Sequence, residues 1–153
     1  MKVPNSKFQV RGDQPEGCDG EDPLNSDAWM LNDSPANGAG FGKPQNLEDR
    51  TAQFGQEIIR FTKKIPRGPG NDRLIGQLTG CGTSLGANYC EASECVSKKD
   101  FKCIIIRCVK EAKETRFFLR MVATAEPKLA EAARTLYREA RELHLIFASM
   151  YRK

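Results

Sequence analysis

The chain has 153 residues, of which 39% are apolar and 29% charged, and a net charge of +4; that is the length of one ordinary domain, with enough apolar side chains for a packed core. No uninterrupted apolar run exceeds four residues, far short of the roughly 18 that a membrane-spanning helix needs, and the start lacks a basic segment followed by an apolar stretch of about 7–15 residues. A membrane protein and a secreted one are thereby set aside, and a soluble cytoplasmic protein is expected.

Residues 1–45 hold five of the eight prolines and six of the thirteen glycines, with four Lys or Arg against seven Asp or Glu, a net of −3. Neither "PEGCDGEDPLNSD" nor "NDSPANGAGFGKP" has helical or strand periodicity. Such a segment buries too little apolar surface to offset its ordering entropy, so a disordered acidic tail is expected here. Residues 46–153 carry twenty Lys or Arg against thirteen Asp or Glu, a net of +7, and form the predicted folded domain. A basic domain allows a polyanionic partner, because Lys and Arg displace the counterions of phosphates.

The first predicted helix starts at Asn46, whose side chain suits an N-cap, with Glu48 and Asp49 in the first turn where the helix dipole favours acids. Leu47, Phe54, Ile58, Phe61 and Ile65 form its apolar stripe, and "PRGPG", Pro66 to Gly70, ends it. Asn71 is expected to cap a second helix carried by Leu74, Leu78, Cys81, Leu85, Tyr89, Ala92 and Val96. Inside it lie Gly76, Gly80, Gly82 and Gly86, each costing about 1 kcal/mol relative to Ala in a helix. Spaced as two pairs four apart, they predict close approach of a neighbouring helix; a loop near Gly80–Gly82 is the alternative. Ser97 and Asp100 have the spacing of a capping pair and mark a break before the third helix. That helix buries Phe101, Ile104, Cys108, Ala112, Thr115, Leu119 and Val122. Pro127 suits the first turn of a fourth, with the stripe Leu129, Ala132, Leu136, Ala140, Leu143, Phe147 and Met150. No stretch alternates with period two. The pattern predicts an all-α protein, an antiparallel up-down-up-down four-helix bundle.

The third helix has a second face. At 100° per residue from Lys102, the core stripe falls at about 200–280°, while Lys98, Lys102, Lys113, Arg116 and Arg120 lie within about 40° of zero, among Ile106, Val109 and Phe117. Apolar groups standing among cations read as a subunit interface with a basic margin; the alternative is one flank touching a neighbouring helix. The cations are the expected contacts to RNA or DNA. With Phe117 the one aromatic among them, phosphate gripping rather than base reading is expected.

Catalytic and metal chemistry find little support. Cys90/Cys95 and Cys103/Cys108 are each five apart, about 140° of helical rotation; there is no CxxC, and the sole histidine is His144. The cysteines, Cys18 and Cys81 included, read as small packing residues rather than ligands or disulfide partners. Neither a Gly-rich phosphate loop, a G-x-S-x-G turn nor an H-E-x-x-H pair occurs, and Glu91, Glu111 and Glu114 lack the Glu-x-x-His pattern of carboxylate-bridged metal bundles. A non-enzymatic protein without cofactor or metal is expected. Asn88 and Glu91, three apart, read as a structural polar cluster fixing helix register, with Arg50, Arg60 or Lys110 as partners.

The segments "EDRTAQFGQEIIRFTKKIP", "LIGQLTGCGTSLGANYCEASECVSKKDF", "VKEAKETRFFLRM" and "EARELHLIFASM" resemble the four-helix bundle protein family whose first members are encoded within intervening sequences of bacterial 23S ribosomal RNA genes. The resemblance spans about residues 46–153, "SLGANYCEA" followed by "SKKDF" being its most specific part. Gly76, Gly80, Gly82 and Cys81 depart from its larger residues. It implies an antiparallel bundle assembling into a homo-oligomeric ring, a homopentamer, with no established enzymatic activity. A similar bundle is the accessory protein of diversity-generating retroelements, where a basic pentamer binds nucleic acid and a reverse transcriptase; this is an analogy of fold. The expected function is a nucleic-acid-binding adaptor, with a protein–protein interaction scaffold as the alternative.

Overall fold

A computed structural model describes residues 46–153; the acidic tail expected over 1–45, with Cys18, lies outside the described residues. Four helices follow one another: α1 (Leu47–Thr62), α2 (Pro69–Ser93), α3 (Lys98–Ala125) and α4 (Ala130–Arg152). Each packs on the next, and α1 touches α4 to close the bundle, though more lightly than it touches α2.

Pairings between neighbours run in opposite directions. Gly86 faces Thr51, while Gly82 faces Ile58 two turns further along α1, and Thr79 reaches Thr62 at 3.4 Å. Along α3 and α4, Arg116 meets Tyr137 and the Val109 backbone meets His144. Both pairs of helices are therefore antiparallel, and the up-down-up-down bundle stands.

Local chemistry sets the helix ends. Asn46 Oδ1 accepts from the Asp49 amide at 2.8 Å, the expected cap. Ser97 Oγ accepts from the Asp100 amide at 3.1 Å and donates to the Asp100 carboxylate at 2.7 Å, so the break falls where the sequence places it. The start of α2 differs: Gly68 is its N-cap and Pro69 its first residue. Pro69 presets the helical φ and needs no amide partner, so α2 begins two residues before Asn71. Asp72 reaches back to the Gly68 amide at 3.2 Å. Asn71 instead donates to the Pro66 carbonyl at 3.0 Å and to Glu126 at 2.7 Å, tying the start of α2 to the end of α3. Pro127 opens a short 3-10 turn, Pro127–Leu129, that leads into α4.

The core consists of Phe54, Ile58 and Phe61 from α1; Leu78, Cys81 and Leu85 from α2; Ile104, Ile105, Cys108 and Leu119 from α3; and Leu136, Tyr137, Leu143 and Phe147 from α4. Each large side chain buried here contributes about 1.5–3 kcal/mol. Ile105 and Tyr137 join it beyond the expected stripes. Val96 leaves it: α2 has ended, and the side chain is fully exposed in the connection. Tyr89 is half-buried, its ring 5.5 Å from that of Phe147.

The glycine-rich segment is helical throughout, which rules out the loop near Gly80–Gly82. No described glycine has a positive φ, so space rather than backbone freedom explains these residues. A Cβ on Gly82 would lie 2.8 Å from both Cγ atoms of Ile58, and one on Gly86 would meet the Thr51 carbonyl at 3.4 Å. This pair permits close approach of α1, as expected. Gly76 and Gly80 have open space beside them, so the close approach expected of that pair is not found.

Candidate nucleic-acid interface on helices three and four

Heptad-like steps of three and four along α3 set Lys98, Lys102, Ile106, Val109, Lys113, Arg116, Phe117 and Arg120 in one seam beside α4. The seam is not a uniformly exposed face. Lys98 and Lys113 are exposed, Lys102, Ile106, Val109, Arg116 and Arg120 are half-buried, and Phe117 is 52% exposed. Phe117 stands edge-on to Phe118, ring centroids 5.2 Å apart.

Arg116 differs from its reading as an outward phosphate contact. Its Nη2 donates to the Tyr137 hydroxyl at 2.7 Å, and its guanidinium carbon lies 4.9 Å from the Tyr137 ring centre. A charge held against a buried tyrosine joins α3 to α4. His144 sits beside this contact with its Nδ1 buried and without a hydrogen-bond partner among the described residues. Burial first, then the charges of Arg116 and Lys113, push its pKa down, while a hydrogen bond with the Val109 backbone works the other way. Val109 and Arg116 are thus partly occupied by α4, so for these two positions the flank-to-helix alternative holds.

The opposite end of the seam opens into a groove of about 480 Å³, lined by Lys98, Lys99, Lys102, Cys103 and Ile106 of α3 and by Tyr151 and Lys153 from the end of the chain. Lys98, Lys102 and Ile106 come together here; Lys113, Arg116, Phe117 and Arg120 lie further along. Sequence inspection of α3 alone misses Lys99, Tyr151 and Lys153. A signal was present, because the antiparallel register that pairs Val109 with His144 and Arg116 with Tyr137 also sets Tyr151 opposite Lys102.

The polar cluster expected at Asn88 and Glu91 needs correction. Glu91 is exposed and faces Arg107 at 3.8 Å, and Asn88 is half-buried; Glu91 shares its face of α2 with Ala87, and both are open to solvent. Arg50 pairs with Glu139 instead, Nε to Oε1 at 2.6 Å and Nη2 to Oε2 at 3.0 Å. Register between α1 and α4 is fixed there.

Five described cysteines are free thiols. Burial pushes Cys108 up to about 12 and raises Cys81, so both are neutral packing groups at physiological pH. Among the described residues, no three His, Cys, Asp or Glu side chains gather as a metal-binding group, and no helix is long and apolar enough to cross a membrane.

No protein-family model matches the chain, and no curated protein does. Among solved structures, a protein of unknown function from the S23 ribosomal protein family of Bacteroides thetaiotaomicron is similar, with 24% identity and a TM-score of 0.62 over 69% of this chain and 98% of that one. At this identity the likeness shows the fold.

Proposed function

We propose that the protein is a non-enzymatic, basic four-helix bundle that assembles into a closed ring of its own copies, five in number, and acts as an adaptor gripping RNA or DNA phosphates. The observation that carries this reading is the α3 seam, where cations stand among apolar side chains and Phe117 is 52% exposed. A phenyl ring left in water on the same seam as Ile106 favours burial against another copy, and the net of +7 over residues 46–153 favours a polyanion. The fold likeness adds no activity, because that protein's own function is unknown.

The protein-scaffold reading also has an observation behind it. A shallow groove of about 260 Å³ between α1 and α2, lined by Ala52, Gly55, Ile59 and Ala87 with Gln56 and Thr83, is mostly apolar, and Ile59 is 38% exposed.

Size exclusion with light scattering on the full chain separates these readings. The expected result is a multimer that co-elutes with mixed-sequence RNA at low salt, and a smaller species for Phe117→Ser with unchanged helicity. A wild-type monomer refutes the assembly. A multimer that ignores RNA refutes the adaptor and leaves the scaffold.

A further inference from the structure

The groove between the start of α3 and the end of α4 combines two features that the rest of the seam does not. Lys98, Lys99 and Lys102 enter it from α3 and Lys153 from the end of the chain, so four cations from two segments surround one space. None of the four has an ion-pair partner among the described residues. Asp100, in the same turn of α3, has a carboxylate oxygen bonded by the Ser97 hydroxyl at 2.7 Å. The positive end of the α3 dipole adds to the field, and the negative end of α4, which stops at Arg152, works against it. The second feature is Tyr151, 43% exposed with no other ring or guanidinium stacked on it among the described residues. Ile106 backs the space from α3.

Cations outside any ion pair beside an open aromatic face form the pairing by which proteins hold single strands, phosphate on charge and base on ring. A volume of about 480 Å³ lies within the roughly 300–1,000 Å³ range of ligand sites and suits one nucleotide. We infer that this groove seats a nucleotide of single-stranded nucleic acid, its phosphate on Lys98, Lys99, Lys102 and Lys153 and its base on Tyr151. A duplex keeps its base faces stacked and leaves Tyr151 unused. This rests on the nucleic-acid reading above and gives it a position and a preference for single strands.

Fluorescence anisotropy with a labelled single-stranded oligouridine and a duplex of equal length, on the full chain, tests it. Tyr151→Ala is expected to weaken the single strand about tenfold and leave the duplex unchanged, with Tyr151→Phe close to wild type. Lys98→Gln with Lys102→Gln is expected to reduce the salt slope by about 1.4, two phosphates' worth. Unchanged single-strand affinity in Tyr151→Ala overturns the groove as a base site. If Lys113→Gln with Arg120→Gln then weakens binding, the nucleic-acid reading survives without the groove. No binding of either probe by the wild-type chain at low salt overturns both.

Discussion

Gly82→Ala lowers the stability of the bundle by about 1–3 kcal/mol, the ordinary range for overpacking a core. The same change at Gly76 or Gly80 raises it by up to about 1 kcal/mol, the difference in helix propensity. All three glycines lie inside α2, so propensity favours alanine at each. The sign is decided by the neighbour. At Gly82 the new methyl would sit 2.8 Å from Cγ1 and Cγ2 of Ile58 and 3.1 Å from its Cβ. Ile58 is fully buried, and its branched Cβ leaves few rotamers into which it can move. The clash is met by shifting α1 away from α2. At Gly76 and Gly80 nothing lies within 4 Å. Urea denaturation followed by circular dichroism measures all three. Ile58→Ala in the Gly82→Ala background is expected to cost less than the two single changes added, because the shortened side chain vacates the space the new methyl needs. Destabilisation of equal size at all three positions contradicts the packing explanation.

Breaking the Arg50–Glu139 pair is the second large effect. Two parallel hydrogen bonds join the side chains, and only 28% of Arg50 and 11% of Glu139 remain exposed. The bond with Glu139 raises the Arg50 pKa against the opposing effect of burial, and Glu142 adds to it. Arg50→Leu strands the more buried partner beside a second carboxylate and is expected to cost about 3 kcal/mol, the lower end for breaking a buried pair. Glu139→Leu strands a guanidinium that still reaches water, so about 2 kcal/mol is expected. The double leucine variant is expected to recover most of the loss, since two apolar groups leave no charge stranded. A double variant as unstable as the sum of the singles contradicts a direct pair. The consequence is structural because α1 touches α4 lightly, and this pair is what fixes their register.

Much of the architecture was legible because the apolar spacing is strong. Phe54, Ile58 and Phe61, or Leu136, Ala140, Leu143 and Phe147, recur on one face and are buried as that recurrence requires. Asn46 and Ser97 act as caps because their side chains satisfy amides within their own turn, an entirely local event. Reasoning along single helices failed where the deciding neighbour lies on another helix. Gly76/Gly80 and Gly82/Gly86 have the same spacing, and only α1 tells them apart. Arg50 had several carboxylates to choose from, and the bundle brings it to Glu139 rather than Glu91. Arg116 reads as an outward cation on a wheel of α3, yet Tyr137 of α4 captures it. The groove was half visible: its α3 lysines lay in the expected seam, while Tyr151 and Lys153 needed the register between two helices.

The most direct test of the central claim is the affinity of the full chain for a labelled single-stranded RNA measured across a series of salt concentrations. Gripping phosphates with the groove lysines predicts that the logarithm of the association constant falls linearly with the logarithm of salt, with a slope on the order of −3 for four contacts. An affinity that stays level as salt rises, or no affinity at the lowest salt, contradicts a phosphate-gripping adaptor.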